Sequence, residues 1–252
     1  MQFVDGREGP REQRRIADIV ALVPEGLASA LDAGARDGYI SLKLAERVSA
    51  VTAVDLEVPA PPPPGINFVR ADITRLAFAD GSFDLVFCSE VLEHIGPEQL
   101  VRACAELHRV SSRYIVIGVP YRQDLRLGQT TCSECGAVNP PWGHLSSFDE
   151  DRLAALFTGC RVVRTSFVGH EREWTNATSA WLMNAAGNPY GTYEQLERCI
   201  HCAGSLGTPP PRDLPAKILT KLAVWTQRAQ HLFTRPRPLW IHLLLEKLPA
   251  RG

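Results

Sequence analysis

The chain has 252 residues, 45% of them hydrophobic, a formal net charge of −1 and seven cysteines. That length and apolar content suffice for a well-buried domain with insertions, while the charge excludes the global basic field that nucleic-acid binding draws on. No apolar run reaches the roughly 20 residues of a membrane span, and the first residues lack the basic-then-apolar layout of a secretory signal, so a cytoplasmic location with thiol or metal-bound cysteines is expected.

Ile16, Ile19, Val20 and Val23 recur at helical spacing and predict a covering helix over 11–22. An apolar strand over 28–32 then runs through Asp32, Gly34 and Gly38 into a helix at 38–48, and a second strand over 50–55 ends in Asp55. Strand, glycine-bearing turn, helix, strand and acid is the layout of a nucleotide-binding α/β half. The turn lets a ligand approach the backbone, and the acid can accept two ribose hydroxyls. The proline run at 59–64 is compatible only with a stiff surface loop. Strands over 67–70 and 82–88 follow, the latter announced by the Asp80-Gly81 turn. A helix at 97–109, a strand at 114–119, a helix at 149–157 and a strand at 161–168 continue the alternation. The tail adds a helix over 214–233 and a strand over 239–245. Alternating strands and helices joined by short turns predict an α/β fold, a doubly wound, mostly parallel, seven-stranded Rossmann-like sheet.

Two segments, 120–146 and 170–213, fall outside this alternation. Both are rich in Gly, Pro and Cys and show neither helical nor strand periodicity, so the expectation is one domain over 1–252 carrying two insertions. Cys132-Ser-Glu-Cys135 lies in the first and Cys199-Ile-His-Cys202 in the second. Each knuckle offers two thiolates on one tight turn, and two knuckles complete a tetrahedral site, so Cys132, Cys135, Cys199 and Cys202 are expected to bind a structural zinc that staples the insertions together. His144 and His201 are available to replace a cysteine. Cys88, Cys104 and Cys160 sit in apolar segments and read as buried filler. The sequon at Asn176 reads as accidental.

Leu31-Asp-Ala-Gly34, Gly38, Val54-Asp55, Ala71-Asp72-Ile73 and the long run from Phe78 to His94 together resemble the class I S-adenosylmethionine-dependent methyltransferases. The resemblance is to the small-molecule group that includes ubiquinone-pathway O-methyltransferases, and it covers 28–168, with 239–247 similar to that family's closing strand. It implies that Asp32, Gly34, Arg36, Gly38, Asp55, Asp72, Ile73 and Ser89 hold S-adenosylmethionine, with Asp55 on the ribose, Asp72 on the adenine amino group and Ile73 beside the ring. Arg36 departs from the family, standing where its middle glycine falls. It either turns outward or pairs with the methionyl carboxylate.

Glu90, Glu93 and His94 lie just past the fourth strand, and His144 follows the fifth. Glu-x-x-Glu-His with a later His resembles the divalent-metal site of small-RNA 2′-O-methyltransferases and of metal-dependent quinone-pathway relatives. In a metal-free site the same four residues border the acceptor, with His94 or His144 as general base.

The resemblance implies methyl transfer, first of all O-methylation of a small molecule, a saccharide or a glycolipid in a biosynthetic pathway. Two rivals stay open: a divalent-metal-dependent RNA 2′-O-methyltransferase, opposed by the net charge, and a non-catalytic zinc-stabilised binding protein whose cofactor pocket Arg36 has spoiled. Trp174, Trp181, Tyr190 and Tyr193 either stack on an acceptor or form the small core of the zinc module. Residues 212–252 carry eight basic side chains, Arg251 among them, against Asp213 and Glu246. The 214–233 segment, with Leu214, Trp225, Leu232 and Phe233 among its apolar residues, reads first as a helix packed on the sheet with its basic side in water. Its second reading is a peripheral membrane contact. Nothing in the sequence sets an oligomeric state.

Overall fold

Helix α1 (Pro10–Val20) opens on a proline in its first turn, where a missing N–H costs nothing, and buries Ile16 and Ile19. This computed structural model describes residues 9–171, 175–193, 195, 197–231 and 234–249; Trp174, Leu232, Phe233 and Arg251 lie outside them. Strand β1 (Ser29–Ala33), helix α2 (Tyr39–Ala45) and strands β2 (Ala50–Asp55), β3 (Asn67–Arg70) and β4 (Phe83–Ser89) follow. Helix α3 (Pro97–Val110) leads into β5 (Ser111–Pro120), and β6 (Thr130–Thr131) pairs with β7 (Val138–Asn139) as a short hairpin. Helix α4 (Glu150–Leu156), strand β8 (Cys160–Val168), helices α5 (Ala177–Ala185) and α6 (Leu214–His231) and strand β9 (Trp240–Lys247) complete the order.

Seven strands form one sheet in the order β3-β2-β1-β4-β5-β9-β8, parallel except that β9 runs antiparallel to both β5 and β8. Side chains alternate across it. Leu31, Val86, Ile115 and Leu243 fall in the core on one face, while Ala30, Leu85, Phe87, Val116 and Leu244 fall in the core on the other. Central strands buried on both faces read as continuous apolar runs, which is why β4 and β5 were recognisable as strands. Cys88 and Cys104 are fully buried in that core, and Cys160 is half-buried. Strand order reverses between β1 and β4, and the crevice outside their carboxyl ends is where such sheets take ligands.

The chain divides into two compact units. The first contains the sheet with α1 to α4; the second comprises Arg122–Ser147 and His170–Arg237, which takes in α5, α6 and the β6–β7 hairpin. Two expectations need correcting here. The second insertion contains a helix, α5, whose Ala-Thr-Ser-Ala-Trp-Leu-Met-Asn-Ala sequence has no polar face to give it a period. Its signal was the cap, since the Asn176 side chain accepts from the Ser179 N–H at 2.8 Å, which gives that sequon a structural job. Helix α6 does not bury most of its apolar face: Thr220 and Ala223 are its buried residues, Ser179 of α5 bonds the Ala223 carbonyl, and Leu214, Ile218, Leu222 and Trp225 are exposed.

Within the first unit, α1 is tied to the far half of the sheet. Asp18 accepts from the Ser166 hydroxyl at 2.8 Å and faces His242 Nδ1 at 2.7 Å. Burial pulls the His242 pKa down to about 4; its hydrogen bond to Asp18 works against that fall, and Arg15 adds to it. The unfolded chain takes this proton near the ordinary value of about 6.5, the folded one only near 4, so this contribution is complete above pH 6.5 and is lost as pH falls to 4. Urea midpoints measured from pH 7 to 4.5 are expected to fall for the natural chain. His242→Gln is expected to flatten that slope by about 1.4 kcal/mol per pH unit.

Candidate functional site

The loop from β1 to α2 wraps the end of β2. The N–H groups of Gly34 and Ala35 both donate to the Val54 carbonyl, at 2.8 and 3.0 Å, and the Arg36 N–H donates to Asp55 Oδ2 at 2.7 Å. Gly34 has φ +80°, and a Cβ there would run into Val91, so the turn is one only glycine fills. Arg36 adopts φ +54°, the left-handed conformation of the glycine it replaces, at a cost of about 1 kcal/mol. Its side chain is exposed. Gly38 caps α2. Asp32 is buried and accepts from the Ser41 hydroxyl at 2.6 Å. Burial pushes its carboxyl up to about 7, with Ser41 pulling it down and the Asp55 charge adding to the rise.

Beyond β3, Asp72 Oδ1 accepts from both the N–H and the hydroxyl of Thr74 at 2.8 Å, which clips the loop into a tight turn and leaves Ile73 buried behind it. Ser89, the last residue of β4, is buried and accepts from Arg15 at 3.1 Å. Asp32, Asp55, Asp72 and Ser89 therefore stand at the carboxyl ends of four adjacent parallel strands.

The acidic residues after β4 separate into two environments. Glu90, at φ +57°, accepts from the Trp240 indole N–H at 3.1 Å and lies 3.9 Å from the Arg15 guanidinium. Burial pushes its carboxyl up to about 7, while Arg15 and Trp240 hold it down. Glu93 and His94 share a 3-10 turn, Leu92–His94. Glu93 is fully buried and, among the described residues, neither of its carboxyl oxygens has a hydrogen-bond partner. Burial, reinforced by the nearby Glu90 charge, raises it well above the usual carboxylate range. A Glu93 oxygen and a His94 ring nitrogen lie within 4.8 Å of each other. His144 belongs to the second unit, where its Nδ1 is 2.6 Å from the Gln123 amide oxygen. Arg15 and Trp240, the partners of Glu90, carry no motif, and the sequence did not single them out.

The four knuckle cysteines come together inside the second unit. Their sulfurs all lie within 4.8 Å of one another, with Cys132–Cys202 and Cys135–Cys199 each at 3.6 Å. A tetrahedral zinc with bonds near 2.3 Å has sulfur–sulfur edges of about 3.8 Å, so the spacing fits. The two turns are built alike. The Cys132 N–H donates to Ala137 and the Gly136 N–H to Cys132; the Cys199 N–H donates to Gly204 and the Ala203 N–H to Cys199. Gly136 and Ala203 take matching left-handed φ values of +72° and +59°. Backbone N–H groups also reach the sulfurs: Ala137 donates to Cys135, His201 and Cys202 to Cys199, and Gly204 to Cys202. Asn139 Oδ1 accepts from the Ile200 N–H at 2.9 Å, joining the hairpin to the second knuckle. His201 and His144 stand outside the four-sulfur group. Nearby, the Tyr193 hydroxyl accepts from the Thr131 N–H at 2.9 Å, while Trp181 and Tyr190 are exposed.

Residues 31–113 match the family described as a methyltransferase domain. Over 86 residues the chain is 36% identical to an uncharacterized methyltransferase of Mycobacterium bovis, a stretch covering 30% of this chain and 42% of that protein. Over 105 residues it is 32% identical to the ubiquinone biosynthesis O-methyltransferase of Albidiferax ferrireducens, covering 37% of this chain and 42% of that one. The chain thus spans less than half the length of the curated relatives it matches. In fold it is similar to the 1,6-didemethyltoxoflavin-N1-methyltransferase of Burkholderia thailandensis, solved with 1,6-didemethyltoxoflavin and S-adenosylhomocysteine. The TM-score is 0.55 at 17% identity, over 97% of this chain and 83% of that one. By sequence match over 31–113 and by sheet order, the first unit is similar to the methyltransferase domains that bind S-adenosylmethionine.

Proposed function

We propose that the protein transfers a methyl group from S-adenosylmethionine to an oxygen of a small molecule or saccharide, and that zinc on the four cysteines holds its second unit together. The observation that carries the reading is the clip between the Arg36 N–H and Asp55: it keeps the glycine-loop conformation despite the arginine and sets a carboxylate at the end of β2. Asp55 accepts the two ribose hydroxyls, Asp72 takes the adenine amino group on its second oxygen, and the loop from Gly34 to Gly38 lets the ligand pass close to backbone. Asp32 and Ser89 border the methionine end. When bound, the sulfonium supplies a methyl group that leaves by direct displacement, so the protein's work is alignment and removal of the acceptor proton. His94 takes that proton, and the Glu93 carboxyl, buried beside it, lies next to the imidazolium that results.

A second reading has an observation of its own. The unpartnered Glu93 oxygens near His94 suit a divalent ion, which would supply positive charge to an acceptor hydroxyl. Glu90 is the weaker ligand in that set, since Arg15 and Trp240 already engage it.

The test is release of S-adenosylhomocysteine, with methyl-labelled cofactor, across hydroxyl-bearing and amine-bearing acceptors. Label in an ether product is the expected result, label confined to amines would move the reaction to nitrogen, and absence of cofactor binding by calorimetry would overturn the reading. Turnover abolished by EDTA and restored by Mg²⁺ or Mn²⁺ selects the ion at Glu93 and His94.

A further inference from the structure

Helix α6 inverts the usual plan of a surface helix, in which large apolar residues face inward. Its side toward α5 is small and polar: Thr220 and Ala223 are buried, the Ser179 hydroxyl donates to the Ala223 carbonyl at 2.9 Å, and the Asn176 amide donates to Gln230 at 2.9 Å. Leu219 and Val224 are half-buried, while four other large apolar residues stand in water, with Leu214 70%, Ile218 51%, Leu222 47% and Trp225 70% exposed. At about 100° per residue these four share an arc of roughly 80°, and Lys217, Lys221 and Arg228 flank it within about 60° on one side. Helix α6 contains no acidic residue, in a chain whose net charge is −1. Arg212 adds a fourth cation, its guanidinium 5.6 Å over the Tyr190 ring, and a groove of about 460 Å³ runs between Tyr190, Lys221, Trp225 and Arg228. Among the described residues no helix is long and apolar enough to cross a membrane, so this face can lie on one but not span it.

We propose that α6 docks the second unit on an anionic membrane surface. Trp225, Ile218, Leu214 and Leu222 enter the headgroup layer, and Lys217, Lys221, Arg228 and Arg212 meet acidic headgroups. Charge complementarity selects this occupant. A row of cations without an acid, laid along an apolar arc that includes a tryptophan, suits a surface that is negative outside and apolar just beneath. A second copy of the same face would set those cations against one another. The proposal is independent of methyl transfer, and its readout is binding alone.

The test is sedimentation of the full chain with vesicles of phosphatidylcholine alone and of phosphatidylcholine mixed with phosphatidylglycerol. Binding to the mixed vesicles only, weakening as salt rises, is expected. The Lys217→Gln/Lys221→Gln double variant should lose on the order of tenfold to thirtyfold in vesicle affinity. Trp225→Ser should lose binding as well. Circular dichroism of both variants should match the natural chain, because the replaced side chains are exposed. Equal binding to neutral vesicles, no binding to either, or binding indifferent to both variants would overturn the proposal. So would a dimer in analytical ultracentrifugation that Trp225→Ser dissolves, which would give the face to a second copy.

Discussion

Stripping zinc with a strong chelator, or replacing Cys199 by serine, is expected to unfold the second unit while the seven-stranded sheet of the first survives. The reason is how little else holds the knuckles. The buried apolar cluster around them is Cys132, Cys199 and Leu206, and the hairpin beside them has strands of two residues each. Four sulfurs within 4.8 Å repel one another once ionised unless a cation sits among them. Structural zinc contributes about 10–16 kcal/mol in zinc-finger sites, as much as the whole stability of a typical domain at about 5–15 kcal/mol, so an ion bound here would decide whether the unit folds. Plasma mass spectrometry should find about one zinc per chain. A thermal melt should show two steps, of which chelation moves the lower one and leaves the upper in place. A metal-free preparation with an unchanged melt would remove zinc from the account.

Asp55→Ala is expected to abolish measurable binding of S-adenosylmethionine. Hydrogen bonds to a charged group contribute about 1.5–3 kcal/mol each, and two of them to the ribose correspond to a loss of roughly a hundredfold or more in Kd. The same substitution also removes the acceptor of the Arg36 N–H, so the loop loses the bond that fixes it to β2. Asp55→Asn separates these effects. An amide oxygen still accepts from Arg36 but brings no charge, so its loss should be about tenfold. Calorimetry on both variants decides, and natural affinity in Asp55→Ala would remove Asp55 from the cofactor site.

Much of this was legible in the chain. The parallel strands announce themselves because burial on both faces leaves β4 and the second half of β5 largely apolar, and Asp32, Asp55 and Asp72 mark the carboxyl edge at β1, β2 and β3. The knuckles are legible because Cys-x-x-Cys sets two thiols on one tight turn, and the four sulfurs do come together. Helix α5 was missed because its polar residues, Thr178, Ser179 and Asn184, are not gathered on one face and give no period, and only its Asn176 cap gave it away. The inverted face of α6 was misread because amphipathicity in sequence says that two faces differ, not which one is buried. The partners of Glu90 come from opposite ends of the chain, Arg15 in α1 and Trp240 in β9, as do Asp18 and His242. Pairs so far apart in sequence leave no local pattern.

The position of β9 bears on how the protein can be made. Strand β8 has one sheet neighbour, β9, which also covers the open edge of β5 and is built only after all of His170–Arg237. During synthesis, the five-stranded portion from β3 to β5 can form early. The bare backbone of β5 and the unattached β8 must then wait on the ribosome while the second unit emerges. Loop closure over that many residues is slow, and unpaired edges are the places where nascent chains pair with the wrong neighbour. A pulse-labelled nascent chain halted before residue 238 should thus be protease-resistant through β5 and cut within β8, and resistance at β8 should arrive together with the final strand.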